Sequence, residues 1–496
     1  MKYRFIALLL LVVTFANAQK GAQKDIDTFI QKTLKAFPEV PGISIAVVQG
    51  NRPLFVKGYG YADREKDIKS EKSTPFYIAS TTKSFMSMLS VILEQEGKLD
   101  LDTPLTTYKP FKYLKNKSVF EQITITDLLN HTSGIENGFL TFRDAYTGDK
   151  SADIMSMLLE EVTELKEDGK VYEYDNLGYN ILDVLLQKEL NLDWRELLDE
   201  KLFTPLGMKR TTAYISEGER KNWKMAWPYM SYKQGETPRA PLMKDDSMMQ
   251  AAGGLICSAE DAANWLLFNI NSGKLKGKQI YPASLVDRTH KTLSTYDREG
   301  QIFHDKGYGL GWINAKFKDK DIVYHFGGYT GFFSHISFMP SEKIGIAVFA
   351  NESFFGDNVS NLIATYVYDY LTNLVPAEGY DKGLEQLRAM VARLHGGFAR
   401  DTENRAKREW KLDLPMKAYT GKYYNKHMGT IQVVLEEGKP KVSLGRLNSV
   451  AEPFTRDNSM RVMLIPLRGE PLMFKPSGNQ VNEVVYKGQS FTRIDP

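Results

Sequence analysis

Ser80-Thr81-Thr82-Lys83 leads directly into Phe85, Met86, Met88, Leu89, Val91, Ile92 and Leu93. That apolar spacing predicts a helix buried over most of its surface, so a core has to form around it. Residues three apart share a helix face, which brings the Lys83 ammonium within reach of the Ser80 hydroxyl. Ser80 falls at the helix N-terminus, where unpaired N–H groups and the helix dipole favour negative charge. A serine placed there beside an amine is arranged as a nucleophile. Ser-x-x-Lys by itself is also an ordinary helix start, because serine is a common cap. The rest of the chain has to supply the other groups.

The chain has 496 residues, 42% hydrophobic and 25% charged, which is globular composition. Its length predicts two or three domains. A net charge of +3 points to no nucleic acid or acidic partner. One cysteine, Cys257, excludes an internal disulfide framework; it lies in an apolar stretch and is expected to pack. Lys2 and Arg4, the apolar run Phe5 to Phe15, and Ala16-Asn17-Ala18 have the form of a secretion signal cleaved before Gln19. The run is shorter than the ~20 residues a bilayer span needs. The expectation is therefore an exported bacterial protein, periplasmic or secreted, with no membrane span after cleavage.

After that signal, Ile26, Phe29, Ile30, Thr33, Leu34 and Phe37 predict an amphipathic helix ended by Pro38. Ile43 to Val48 and Leu54 to Tyr59 read as a β-hairpin turning at Gln49-Gly50-Asn51. The helix beginning at Ser80 closes at Gly97. Asn130-His131-Thr132-Ser133-Gly134 ends a helix in a tight turn, where His131 and Ser133 are expected to satisfy backbone groups. Helical patterns run to about residue 210, and Asp261 to Phe268 is helical again. Ala251 to Leu255 is a small-residue segment where backbones approach closely. Strands follow from Tyr308, at Val323 to His325, Phe333 to Met339 and Ile344 to Ala350, then a helix from Asn361 to Leu371. This order predicts an α/β fold: an antiparallel sheet whose first strands pair with its last, flanked by helices, with a helical subdomain. Leu384 to Leu394 reads as a short helix and Arg400 to Arg408 as charged linker. From Leu412 short alternating strands predict a small all-β domain. The expected division is signal 1–18, main domain 19–375, linker 376–411 and β-domain 412–496.

Two further stretches give Ser80 partners. Tyr174-Asp175-Asn176 precedes a predicted helix, and His325-Phe326-Gly327-Gly328 ends a predicted strand. Singly, Tyr174 could be a core residue, His325 a strand histidine and the glycines a bulge. Together and in this order they resemble the three motifs of the penicillin-recognising serine hydrolases, in the form of class C β-lactamases and related D,D-carboxypeptidases, D-aminopeptidases and esterases. Pro41-Gly42-Ile43, Leu99-Asp100-Leu101-Asp102, His131-Thr132-Ser133-Gly134, Ala252-Gly253-Gly254-Leu255 and Tyr308-Gly309-Leu310-Gly311-Trp312 agree as flanks. The resemblance covers about residues 25 to 372. The tail, with Tyr419-Thr420-Gly421-Lys422-Tyr423, is similar to the lipocalin-like domain appended to some of these hydrolases.

The resemblance implies an acyl-enzyme on Ser80. Serine needs a base beside it, and neither free lysine nor free tyrosine is one at neutral pH, so the pair must shift each other. Sequence does not say which takes the proton. By analogy Tyr174 is the general base and acid, Lys83 holds the network and relays a proton, and Asn176 orients Lys83 and the substrate amide. The backbone N–H groups of Ser80 and Gly328 hold the oxyanion. Gly327 lets substrate lie along the strand. Where strong β-lactamases of this type carry Lys-Thr-Gly, this chain has His325-Phe326-Gly327. A mostly neutral histidine and a residue without a hydroxyl weaken carboxylate binding. That favours an ester or small amide substrate, possibly with D-residues, over a β-lactamase or D-alanyl-D-alanine carboxypeptidase. A non-catalytic scaffold is the other alternative. Phe326, Trp312 and Phe332 could line an apolar pocket, or simply be core. No cofactor is called for, and the seven histidines show no metal-ligand spacing. Oligomeric state stays open.

Overall fold

The computed structural model describes residues 20–112, 117–148, 152–166, 170–374 and 378–494. The expected secretion signal lies outside them. A helix over 20–36 (α1) leads into a central antiparallel sheet of nine strands. These are β1 (Gly42–Gln49), β2 (Arg52–Asp63), β3 (Ile68–Lys69), β4 (Ser294–Glu299), β5 (His304–Tyr308), β6 (Ile313–Phe317), β7 (Lys320–Tyr329), β8 (Phe332–Met339) and β9 (Ile344–Ala350). Their spatial order is β4-β5-β6-β7-β8-β9-β1-β2-β3. The first strand thus pairs with the last, Ile43 opposite Ala350 and Gln49 opposite Ile344, as the order of elements in the sequence predicts.

Side-chain alternation sends β1 into two cores. Ile43, Ile45 and Val47 join α1 and two C-terminal helices, α6 (Gly356–Thr372) and α7 (Glu378–Ala406). Ala46 and Val48 join α2 (Thr82–Gln95), α3 (Ile125–Leu129), α4 (Leu177–Leu190) and α5 (Ala259–Ile270). Burial on both faces explains why β1 and β9 read as nearly continuous apolar runs. α2 is buried on all sides from Thr82 to Leu93, as its sequence requires.

Two expectations are corrected. The sheet begins earlier than Tyr308: β4 is polar Ser-Thr-Tyr-Asp-Arg-Glu and sits at the sheet edge, where no buried face imposes alternation. The short helix and charged linker are one helix of 29 residues, α7. Its Leu384 and Val391 enter the core, and its charged end is tied down by Arg405 pairing with Glu452 at 2.8 Å.

Residues 421–493 form a second antiparallel sheet of nine strands. Its first strand, Gly421–Asn425, lies beside its last, Gln489–Arg493. Near one end of the sheet, the Met463 N–H donates to Ser449 Oγ at 2.8 Å and helps draw the sheet into a nearly closed barrel. The barrel rests on the main domain. Arg143 Nε donates to His427 O at 2.6 Å, Lys426 pairs with Glu161 at 2.6 Å and Arg446 with Asp245 at 3.0 Å.

Candidate active site

The strand Pro75–Tyr77 turns into α2 through a single 3₁₀ turn, Ala79–Thr81. Ala79 has φ +46, a left-handed conformation costly for a residue with a Cβ. The turn is held from beneath: Thr81 Oγ1 and Ser334 Oγ both reach Ile78 O, at 2.7 and 2.6 Å. Ser80 sits at the apex, two residues before α2 proper, and Lys83 lies one helical turn further on.

Lys83 is completely buried. Its Nζ donates to Asn176 Oδ1 and Ala252 O, each at 2.7 Å, and lies 3.2 Å from Ser80 Oγ. None of these is a carboxylate. Burial therefore pulls the Lys83 pKa down to about 7, while the more distant charges of Asp175 and Asp144 push it back up. Two of the three positions around Nζ face oxygens that can only accept. When the amine is neutral, those take its two protons and its lone pair is left facing the Ser80 hydroxyl.

Tyr174 and Asn176 lie on the irregular segment that enters α4. Asp175 Oδ1 accepts from the N–H groups of Leu177 and Gly178 at 2.7 and 3.3 Å, capping that helix and fixing the segment. The Tyr174 ring centroid is 5.0 Å from Lys83 Nζ. Burial around its hydroxyl raises its pKa, and a hydrogen bond with Ser80 lowers it by less. The ring is nonetheless 40% exposed, so solvent moderates that rise; a phenol that stays protonated at neutral pH is the direction that stands.

His325 is 2% exposed. Its Nδ1 donates to Phe326 O at 2.6 Å, so the neutral ring accepts at Nε2 from the Tyr308 hydroxyl at 3.0 Å. Burial first, and Lys83 second, pull its pKa down to about 3. It is neutral and offers no cation to a substrate. Beyond the Ile313–Tyr324 pair, β7 is paired only with β8, which leaves His325 to Gly328 as an open strand edge beside Ser80. Gly327 packs against the serine turn: a Cβ there would stand 2.1 Å from Ile78 O and 3.0 Å from the Ser80 nitrogen. Gly328 faces open space.

Tyr174, His325, Phe326 and Gly328 line a cavity of about 710 Å³. Gly328 also lines a second cavity of about 330 Å³, with Phe332, Tyr329 and the barrel residues Ile465 to Arg468. A further cleft of about 600 Å³ lies between α1 and α6. Its acids are engaged, Asp25 with Tyr370 at 2.7 Å, Asp369 with Tyr380 at 2.6 Å and Asp381 with Lys32.

Of the aromatic residues considered for a pocket, Phe326 lines the first cavity and Phe332, though only 3% exposed, the second. Trp312 does not belong there: it is fully buried, between Trp265 and Phe338 at 6.4 and 5.3 Å. Sequence reading assigned no site role to His131, whose ring lies 4.5 Å from that of Tyr174, or to Tyr308, whose hydroxyl bonds His325 at 3.0 Å; the flanking motifs carrying them were the signal. Cys257 packs as expected, buried, with Thr211 Oγ1 donating to it at 3.3 Å.

A family profile described as Beta-lactamase matches residues 30–365. The protein flp of Staphylococcus aureus (strain MW2) is 30% identical over 334 residues, 66% of this chain and 63% of that protein, so the match spans less than two thirds of that relative. The unguisins hydrolase ungD' of Aspergillus campestris is 23% identical over 446 residues, 86% of this chain and 80% of its own. Among solved structures, the octameric penicillin-binding protein homologue from Pyrococcus abyssi aligns with a TM-score of 0.60 at 23% identity, covering 95% of this chain and 99% of that one. The D-amino acid amidase from Ochrobactrum anthropi SV3 aligns with a TM-score of 0.58 at 22% identity, covering 70% and 99%. These structures share the fold, and the profile spans most of the sequence: the chain belongs to the β-lactamase family.

Proposed function

We propose that this protein is an exported serine hydrolase that cleaves an ester or a small amide through an acyl-enzyme on Ser80. The observation that carries this is the set of contacts around Lys83. With its pKa drawn down to about 7, the neutral form of its amine takes the Ser80 proton as Oγ attacks the substrate carbonyl carbon. The carbonyl oxygen becomes an oxyanion, held by the backbone N–H groups of Ser80 and Gly328. Collapse of that intermediate breaks the bond to the alcohol or amine. The departing atom takes the Tyr174 proton, and the Lys83 ammonium, 5.0 Å from the Tyr174 ring centroid, gives its extra proton to the tyrosinate. Water then attacks the acyl-enzyme, losing a proton to the same pair and returning Ser80 as the alcohol. These roles move the acylation base from Tyr174, where the analogy puts it, to the buried Lys83, and leave Tyr174 the acid.

The neutral His325 and the aromatic Phe326 leave the third motif with neither a cation nor a hydroxyl for a carboxylate. This supports ester or amide cleavage over β-lactam hydrolysis or a D-alanyl-D-alanine carboxypeptidase. The similarity to a D-amino acid amidase and to a hydrolase named for unguisins is compatible with substrates containing D-residues. Ser80→Ala is expected to lower hydrolysis of p-nitrophenyl esters by ~10³-fold or more while leaving the melting temperature nearly unchanged. Undiminished activity would place the nucleophile elsewhere, and an inactive wild-type protein would make it a scaffold.

A further inference from the structure

His131 occupies an unusual position for a residue that only completes a turn. It follows α3 in a left-handed conformation, φ +62, and is 3% exposed. It grips the Tyr174 segment on both sides of that tyrosine. The His131 carbonyl accepts from the Glu173 N–H at 2.9 Å. Its ring Nδ1 accepts from the Asp175 N–H at 3.4 Å. Its imidazole lies 4.5 Å from the Tyr174 ring, 4.8 Å from that of Tyr308 and 5.7 Å from that of Tyr179, centroid to centroid. Because Nδ1 accepts, the neutral ring carries its proton on Nε2, and that buried atom has no hydrogen-bond partner. An unpaired buried N–H costs stability. A residue serving only the turn would not need an imidazole, since asparagine adopts the left-handed conformation more readily.

We infer that His131 is a positioning residue: it fixes the backbone before and after Tyr174 and packs against the ring, so that the phenol is aimed at the oxygen or nitrogen leaving the substrate. This rests on the proposed reaction, in which Tyr174 protonates the departing group. His131 itself touches no substrate and transfers no proton.

The test uses leaving groups. p-Nitrophenolate departs without being protonated, whereas an alkoxide does not. In the full-length protein, His131→Gly removes the ring without straining the left-handed backbone. It is expected to lower kcat for an ethyl ester at least ~10-fold more than for the p-nitrophenyl ester of the same acid, with KM little changed. Tyr174→Phe is expected to show the same selective loss, and the double variant no further loss than Tyr174→Phe alone. His131→Asn, which tolerates the same φ and keeps an acceptor for the Asp175 N–H, is expected to recover part of the ethyl ester rate. Equal losses on both esters, or losses that add to those of Tyr174→Phe, would overturn the inference. So would full activity in His131→Gly. If His131→Gly does not fold, His131→Asn and Tyr174→Phe still decide it: a leaving-group dependence between those of the native protein and Tyr174→Phe is required in the first and a strong one in the second, and a native dependence in His131→Asn would overturn the inference. If Tyr174→Phe itself shows no dependence on the leaving group, the acid role of Tyr174 falls instead, and with it the reading on which the inference rests.

Discussion

A buried lysine without a carboxylate beside it is the residue on which the proposed chemistry turns. Free lysine titrates near 10.4; burial brings Lys83 to about 7. The sign of the linkage follows. Below pH 7 the side chain is charged both folded and unfolded, and folding bears the full cost of burying the charge. Between 7 and the unfolded value the folded form is neutral while the unfolded form still binds a proton, so stability gains with rising pH. Lys83→Met does not titrate. Its melting temperature relative to the native protein is therefore expected to fall as pH rises from 6 to 9, whatever its offset from the lost bonds to Asn176 and Ala252. A pH-independent difference would mean Lys83 stays charged in the fold. Ser80, Lys83, Tyr174, Asn176, His325 and Gly328 were all legible as a candidate site, because each stands in a short motif with a recognisable neighbour. Which of them is acid and which base was not legible, since that depends on burial and on the three oxygens around one nitrogen, none adjacent to it in sequence.

Among the elements, the join between β7 and the serine turn is the tightest. Gly327 has no room for a methyl group: besides Ile78 O, a Cβ would lie 2.4 Å from Ser334 Oγ. Those contacts are mainly to backbone and cannot yield cheaply. Gly327→Ala is expected to separate the strand from the turn, lowering turnover ~10²-fold or more through the oxyanion donors, with binding less affected; steady-state kcat and KM measure both. Elements with a buried face were readable, α2, β1 and β9 above all. The edge strand β4 was not, because polar residues on an open edge carry no period. α7 was read as helix followed by linker because its second half is charged and solvated, though it continues the same helix. Trp312 looked available for a pocket only because sequence does not show which side of the sheet it faces.

At the scale of the molecule, the small β-domain is part of the cleft wall. Ile465 to Arg468 meet Gly328 and Tyr329 across the second cavity, and Tyr329 and Met248 of the main domain pack with the barrel's own core. Its all-β character was visible as short alternating strands, the first of them Gly421–Asn425, but its docking was not, since the contacts link residues hundreds of positions apart. The account as a whole requires that the neutral Lys83 amine activate Ser80. The most direct measurement is the rate at which a fluorophosphonate labels Ser80 as a function of pH, followed by mass spectrometry of the intact protein and its peptides. A single adduct on Ser80 is predicted, with a rate that rises about tenfold per pH unit below ~7 and levels off above it. Labelling at another residue, or a Ser80 rate that keeps rising to pH 10, would contradict it.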